Sequence, residues 1–81
     1  NLGGLIMENI ITTGLSKEIV MELNGSQLKV FNCLGLGILP EQSGLSMPTF
    51  KAAYETLYAK GYVSATWKKY NLLLKLQREE N

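Results

Sequence analysis

Apolar positions along this chain change period twice, and each change marks a different element. Between Leu45 and Val63 the residues Phe50, Ala53, Tyr54 and Leu57 recur at i, i+3, i+4 and i+7. That is the spacing of one buried stripe on an α-helix, and it leaves Met47, Thr49, Lys51, Ala52, Glu55 and Thr56 on the other side. The start is well marked. Ser46 is a good N-cap, Pro48 lies in the first turn where a missing N–H costs nothing, and Leu45 and Phe50 hold the N′ and N4 positions of a hydrophobic staple. Lys60 suits the negative pole and Gly61 supplies the left-handed residue that stops the run, so the spacing predicts a helix from about 47 to 60.

After Gly61 the period falls to two. Val63, Ala65 and Trp67 alternate with Tyr62, Ser64 and Thr66, then Lys68-Lys69-Tyr70-Asn71 forms a polar break, and Leu72, Leu74 and Leu76 alternate with Leu73, Lys75 and Gln77. This predicts a β-hairpin with a basic tip, with Leu72, Leu74 and Leu76 all facing the core and Trp67 at its edge. Leu, Lys, Gln, Arg and Glu are good helix formers, so a helix over 71–80 is the competing reading. The strand is preferred because the β-branched and aromatic run ahead of it needs a partner.

Upstream, Ser26 caps a predicted helix to about Leu36, with Leu28, Phe31, Leu34 and either Cys33 or Gly35 inward. Gly25 helps to end a preceding helix, Ser16 to Leu23. Between 37 and 44, Pro40 permits at most a short turn of helix before Gly44 breaks it. Residues 5–13, with Ile10-Ile11-Thr12-Thr13, are β-branched enough for a strand, while Leu2, Ile6 and Ile10 also fit a helix face.

The chain's 81 residues make one domain with one modest core. Residues 1–15 form either an extension that pairs two copies or a cover for the domain's own core. Hydrophobic residues at 46% and charged ones at 19% exclude a disordered tail. No apolar run approaches the roughly 18 residues of a membrane span, and the first residues lack a signal peptide's basic segment, so a soluble, cytoplasmic chain with no membrane partner is expected.

The inventory removes most chemistry. With no His and no Asp there is no Ser-His-Asp triad, no Cys-His pair, no imidazole zinc ligation and no aspartate-held Mg²⁺. The single Cys33 sits in an apolar stretch and reads as a small buried hydrophobe. Glu18 and Glu22 share a helix face without a third ligand, which makes them a solvated face. Gly35-Leu36-Gly37 is followed by Pro40 and preceded by a helix, so it is not a dinucleotide loop. The expectation is a non-enzymatic protein with no catalytic residue, metal or cofactor. Charge is uneven: residues 1–43 carry two lysines against four glutamates (−2), while 44–78 carry five lysines and Arg78 against Glu55 alone (+5).

Gly44-Leu45-Ser46, Pro48-Thr49-Phe50, Leu57 and Gly61-Tyr62-Val63 resemble the turn and recognition helix of bacterial and phage winged-helix regulators. Ser26-Gln27-Leu28-Lys29-Val30-Phe31 is similar to the opening helix of the same families, among them the multiple-antibiotic-resistance repressors and plasmid or phage replication initiators. The resemblance covers residues 26–77. It implies an α+β winged-helix fold, three to four helices with a C-terminal two-stranded hairpin wing, and double-stranded DNA as partner. Carried over position by position, Ser46, Met47, Thr49, Lys51 and Ala52 of the helix at 47–60 would enter the major groove, and Lys68, Lys69 and Tyr70 in a wing at 67–72 would meet the backbone. Phosphate contacts by Lys51, Lys60, Lys68 and Lys69 would give a slope of log K on log salt of about −3.6. Two half-sites would call for a homodimer, with the apolar segment Leu2 to Leu15 as its interface. The alternative is a winged helix that docks a protein and binds no DNA.

Overall fold

The computed structural model describes residues 10–14 and 16–80. Four helices and one 3₁₀ turn follow in order: α1 (Lys17–Glu22), α2 (Gly25–Leu36), the 3₁₀ turn (Pro40–Gln42), α3 (Met47–Ala59) and α4 (Trp67–Glu80).

Local signals account for the first three boundaries. Ser16 caps α1, its side chain accepting from the Ile19 N–H. Asn24 caps α2 in place of the expected Ser26, two residues later. Its side chain accepts from the Gln27 N–H at 2.9 Å while the Gln27 side chain accepts from the Asn24 N–H at 3.2 Å, a reciprocal capping box. Gly25 therefore opens α2 rather than closing α1. Ser46 caps α3 as expected, with Pro48 in its first turn. Gly44 at φ 85° and Gly61 at φ 83° take the left-handed conformation that turns the chain before and after α3. Ser43, buried between the 3₁₀ turn and Gly44, fixes the entry: its hydroxyl donates to the Pro40 carbonyl at 2.7 Å and accepts from the Leu45 N–H at 3.1 Å.

The C-terminal hairpin is not there. Residues 67–80 form the helix α4, and among the described residues the only strand-like feature is an isolated antiparallel bridge between Ile11 and Val63. The expected α+β winged-helix fold is therefore replaced by an all-helical one. Leu72, Leu74 and Leu76 alternate only along the sequence. The inward side of α4 is set by Trp67, Tyr70 and Leu74, spaced three and four apart, and Leu72 and Leu76 are exposed. Thr66 supplies the cap, its Oγ1 accepting from the Lys69 N–H at 3.2 Å.

An aromatic cluster holds α4 on α3. Tyr70 stacks on Tyr54 at 4.7 Å between ring centroids and on Phe50 at 6.3 Å, and Trp67 meets Tyr54 edge-on at 5.4 Å. Phe50, Tyr54, Tyr70, Leu34, Leu57, Leu74 and Val30 are fully buried. Each contributes roughly 1.5–3 kcal/mol on leaving water. Cys33, also buried, packs as the small hydrophobe expected, and burial pushes its thiol pKa up.

The N-terminal edge joins the core through the bridge. Ser64 N–H donates to the Ile10 carbonyl at 2.7 Å and Thr12 N–H to the Tyr62 carbonyl at 3.1 Å, and Ile10 is buried. Ile10 thus covers the domain's own core. Residues 2–9 and 15, which complete the proposed pairing segment, lie outside the described residues.

Candidate nucleic-acid interface

Among the described residues α3 is covered on one side only. Its buried stripe of Phe50, Ala53, Tyr54 and Leu57 faces α2 and α4, while Met47, Thr49, Lys51, Ala52 and Glu55 are exposed, as is the cap Ser46. All five expected groove-facing positions, Ser46, Met47, Thr49, Lys51 and Ala52, are therefore accessible, and Thr49 and Ala52 line a common groove.

A shallow groove of about 390 Å³ runs between this surface and the start of α2, lined by Asn24, Ser26, Gln27, Thr49, Ala52 and Thr56 among others. None of its lining residues is charged. Its polar groups are arranged to donate. The Ser46 hydroxyl gives its proton to Thr49 Oγ1 at 2.8 Å, which leaves the Thr49 hydroxyl proton free for an outside acceptor. Asn24 and Gln27 spend their side-chain oxygens on the capping box, so the NH₂ group of each is left without a partner among the described residues.

Two cations lie outside the groove's lining. Lys51 is exposed on α3. Lys29 reaches across from α2 to the Gly44 turn, close enough that a Cβ built on Gly44 would lie 3.3 Å from its Nζ. Neither is in an ion pair among the described residues, where the pairs are Lys60 with Glu22 and Arg78 with Glu41, both at 2.6 Å.

Other expected contacts move elsewhere. Tyr70 is fully buried in the aromatic stack, so it cannot touch a ligand; burial raises its pKa and its hydroxyl is unpartnered among the described residues. Lys68 and Lys69 are exposed, but in the first turn of α4 instead of at a hairpin tip. Lys60 is engaged: its ammonium and the Tyr62 hydroxyl both donate to the Glu22 carboxylate, and the Lys60 bond, then the Tyr62 bond, hold Glu22 below the usual carboxylate range. Glu22 is thus a tether between α1 and the end of α3, not half of a metal-binding pair. Among the described residues no group of three or more His, Cys, Asp or Glu could hold a metal.

Asn24, Gln27 and Lys29 are not among the DNA-contacting residues that the resemblance implies. The sequence Asn24-Gly25-Ser26-Gln27 spells the capping box that would have placed the first two at the head of α2. Lys29 joins the turn only through the packing of α2 on α3, which no local pattern reveals. Among the described residues no helix is long and apolar enough to cross a membrane. No family model matches the chain, and no match is found among curated proteins or solved structures.

Proposed function

We propose that this domain binds double-stranded DNA through the exposed side of α3, as a helix-turn-helix unit without a wing and without enzymatic activity. The observation that carries the reading is the donor-rich, carboxylate-free groove lined by Asn24, Gln27, Thr49 and Ala52, with Lys51 exposed on the same helix and Lys29 beside the Gly44 turn that precedes it. A B-DNA major groove admits one helix and presents acceptors at G N7 and O6, A N7 and T O4, with phosphate oxygens on both rims. The Thr49 hydroxyl and the Asn24 and Gln27 amides are donors for those acceptors, Met47 and Ala52 suit thymine methyls, and Lys29 and Lys51 suit phosphates. The resemblance of residues 44–63 supports the same reading and suggests a transcriptional regulator or replication initiator. A duplex partner makes the cytoplasm the compartment of action.

Lys60 drops out of the phosphate set because Glu22 neutralises it, and Lys68 and Lys69 drop out with the wing. Two phosphate contacts then give a slope of log K on log salt of about −1.8 per protomer. Fluorescence anisotropy with a labelled random duplex, titrated at several salt concentrations, tests this. Binding with that slope, weakened about tenfold by Lys51→Glu, is expected; absence of binding at low salt, or binding indifferent to Lys51→Glu, contradicts the reading.

A further inference from the structure

The outward side of α4 carries an apolar ridge that no other described residue covers. Leu72 is 56% exposed and Leu76 51%, one turn apart on the face opposite Tyr70 and Leu74. The charges of this helix also sit at the wrong poles. Lys68 and Lys69 occupy the first turn, where the helix dipole disfavours cations, and Glu79 and Glu80 occupy the last, where it disfavours anions. Arg78, the one basic residue of the last turn, is bonded to Glu41 of the 3₁₀ turn at 2.6 and 2.8 Å and does not neutralise them.

One partner corrects both features at once: a second copy of α4 running the opposite way. The residue pairs 68 and 80, 69 and 79, and 72 and 76 share a single midpoint at position 74. A two-fold axis there sets Leu72 beside the partner's Leu76, and Lys69 beside the partner's Glu79, with each relation repeated by symmetry. At about 3.6 residues per turn these six positions fall on the outer half of the helix, away from the stripe that faces α3. The two helix dipoles then oppose each other, and Lys69 and Glu79 each meet the opposite charge.

We infer that the domain self-associates as an antiparallel homodimer through the Leu72–Leu76 ridge of α4. This inference is independent of the DNA reading and is tested without DNA. Sedimentation velocity on the full chain is expected to show a concentration-dependent monomer–dimer equilibrium. Lys68→Glu with Lys69→Glu, and separately Glu79→Lys with Glu80→Lys, are each expected to weaken association at least tenfold with the helical circular dichroism retained. Mixing the two variants is expected to restore a heterodimer, because the charges again oppose. Leu72→Ser with Leu76→Ser is expected to leave a folded monomer. A wild-type chain that stays monomeric to millimolar concentration overturns the inference. So does a dimer that both charge reversals leave intact, which would place the contact on another surface such as the N-terminal segment.

Discussion

The hydroxyl of Tyr54, in the middle of α3, donates to the carbonyl of Ala65 at 2.6 Å, and both residues are buried. This bond pins the segment between Gly61 and Trp67 against α3 and sets where α4 begins. The neighbouring Tyr70 stacks on the same ring, yet its own hydroxyl is buried and unpartnered among the described residues. Two tyrosines in one cluster therefore hold opposite energetic positions.

Tyr54→Phe removes a donor and leaves the Ala65 carbonyl buried and unpaired, so it should cost about 1–3 kcal/mol of stability. Tyr70→Phe removes a hydroxyl that is buried without a bond and should be neutral or stabilising by up to about 1 kcal/mol. Urea unfolding of the two variants checks the contrast. Equal losses would show that the Tyr70 hydroxyl has a partner in solution.

The leucines of α4 separate helix from strand. In a hairpin Leu72, Leu74 and Leu76 would be equivalent, whereas in the helix only Leu74 is buried. Leu74→Ala should cost about 2–5 kcal/mol. Leu72→Ala should stay within about 0.5 kcal/mol when measured at concentrations where sedimentation shows a monomer. Similar costs at both positions would contradict the helical register.

Alkaline pH provides a third test. Burial raises the pKa of Tyr54 and of Tyr70 above the ordinary value of about 10. Because the folded state holds these protons more tightly than the unfolded chain, the stabilisation is fully present below pH about 10 and is lost as pH rises toward the folded-state values. Tyrosinate absorbance at the two sites should therefore appear together with the loss of helical circular dichroism. Ionisation of all four tyrosines in a chain that remains helical would contradict the burial of Tyr54 and Tyr70.

Much of the fold was legible where a local rule decides it. Ser46, Pro48 and Gly61 mark α3 because capping and left-handed geometry depend on immediate neighbours, and observed Met47–Ala59 departs from the expected span by one residue. Pro40 and Gly44 likewise delimit the 3₁₀ turn. Residues 67–80 depart from the expected hairpin because Lys68-Lys69-Tyr70-Asn71 looks like a polar tip when Tyr70 is taken as solvent-facing. What decides the matter is tertiary: Phe50 and Tyr54 present an aromatic surface that Trp67 and Tyr70 cover together only when spaced as on a helix. The helix propensity of Leu, Lys, Gln, Arg and Glu pointed the right way, and the β-branched and aromatic run ahead of it, read as a strand in need of a partner, outweighed it. The α3 half of the candidate site was readable from residues 46–52, whereas the contribution of Lys29 depends on how α2 crosses the Gly44 turn.

The most direct test is an NMR titration of the ¹⁵N-labelled domain with an unlabelled duplex at low salt. The amides of Ser46, Thr49, Lys51 and Ala52, together with Asn24, Gln27 and Lys29, should shift as one contiguous surface, while the outer ridge of α4 stays unperturbed. Shifts confined to α4, or no shifts at all, would contradict DNA binding by the exposed side of α3.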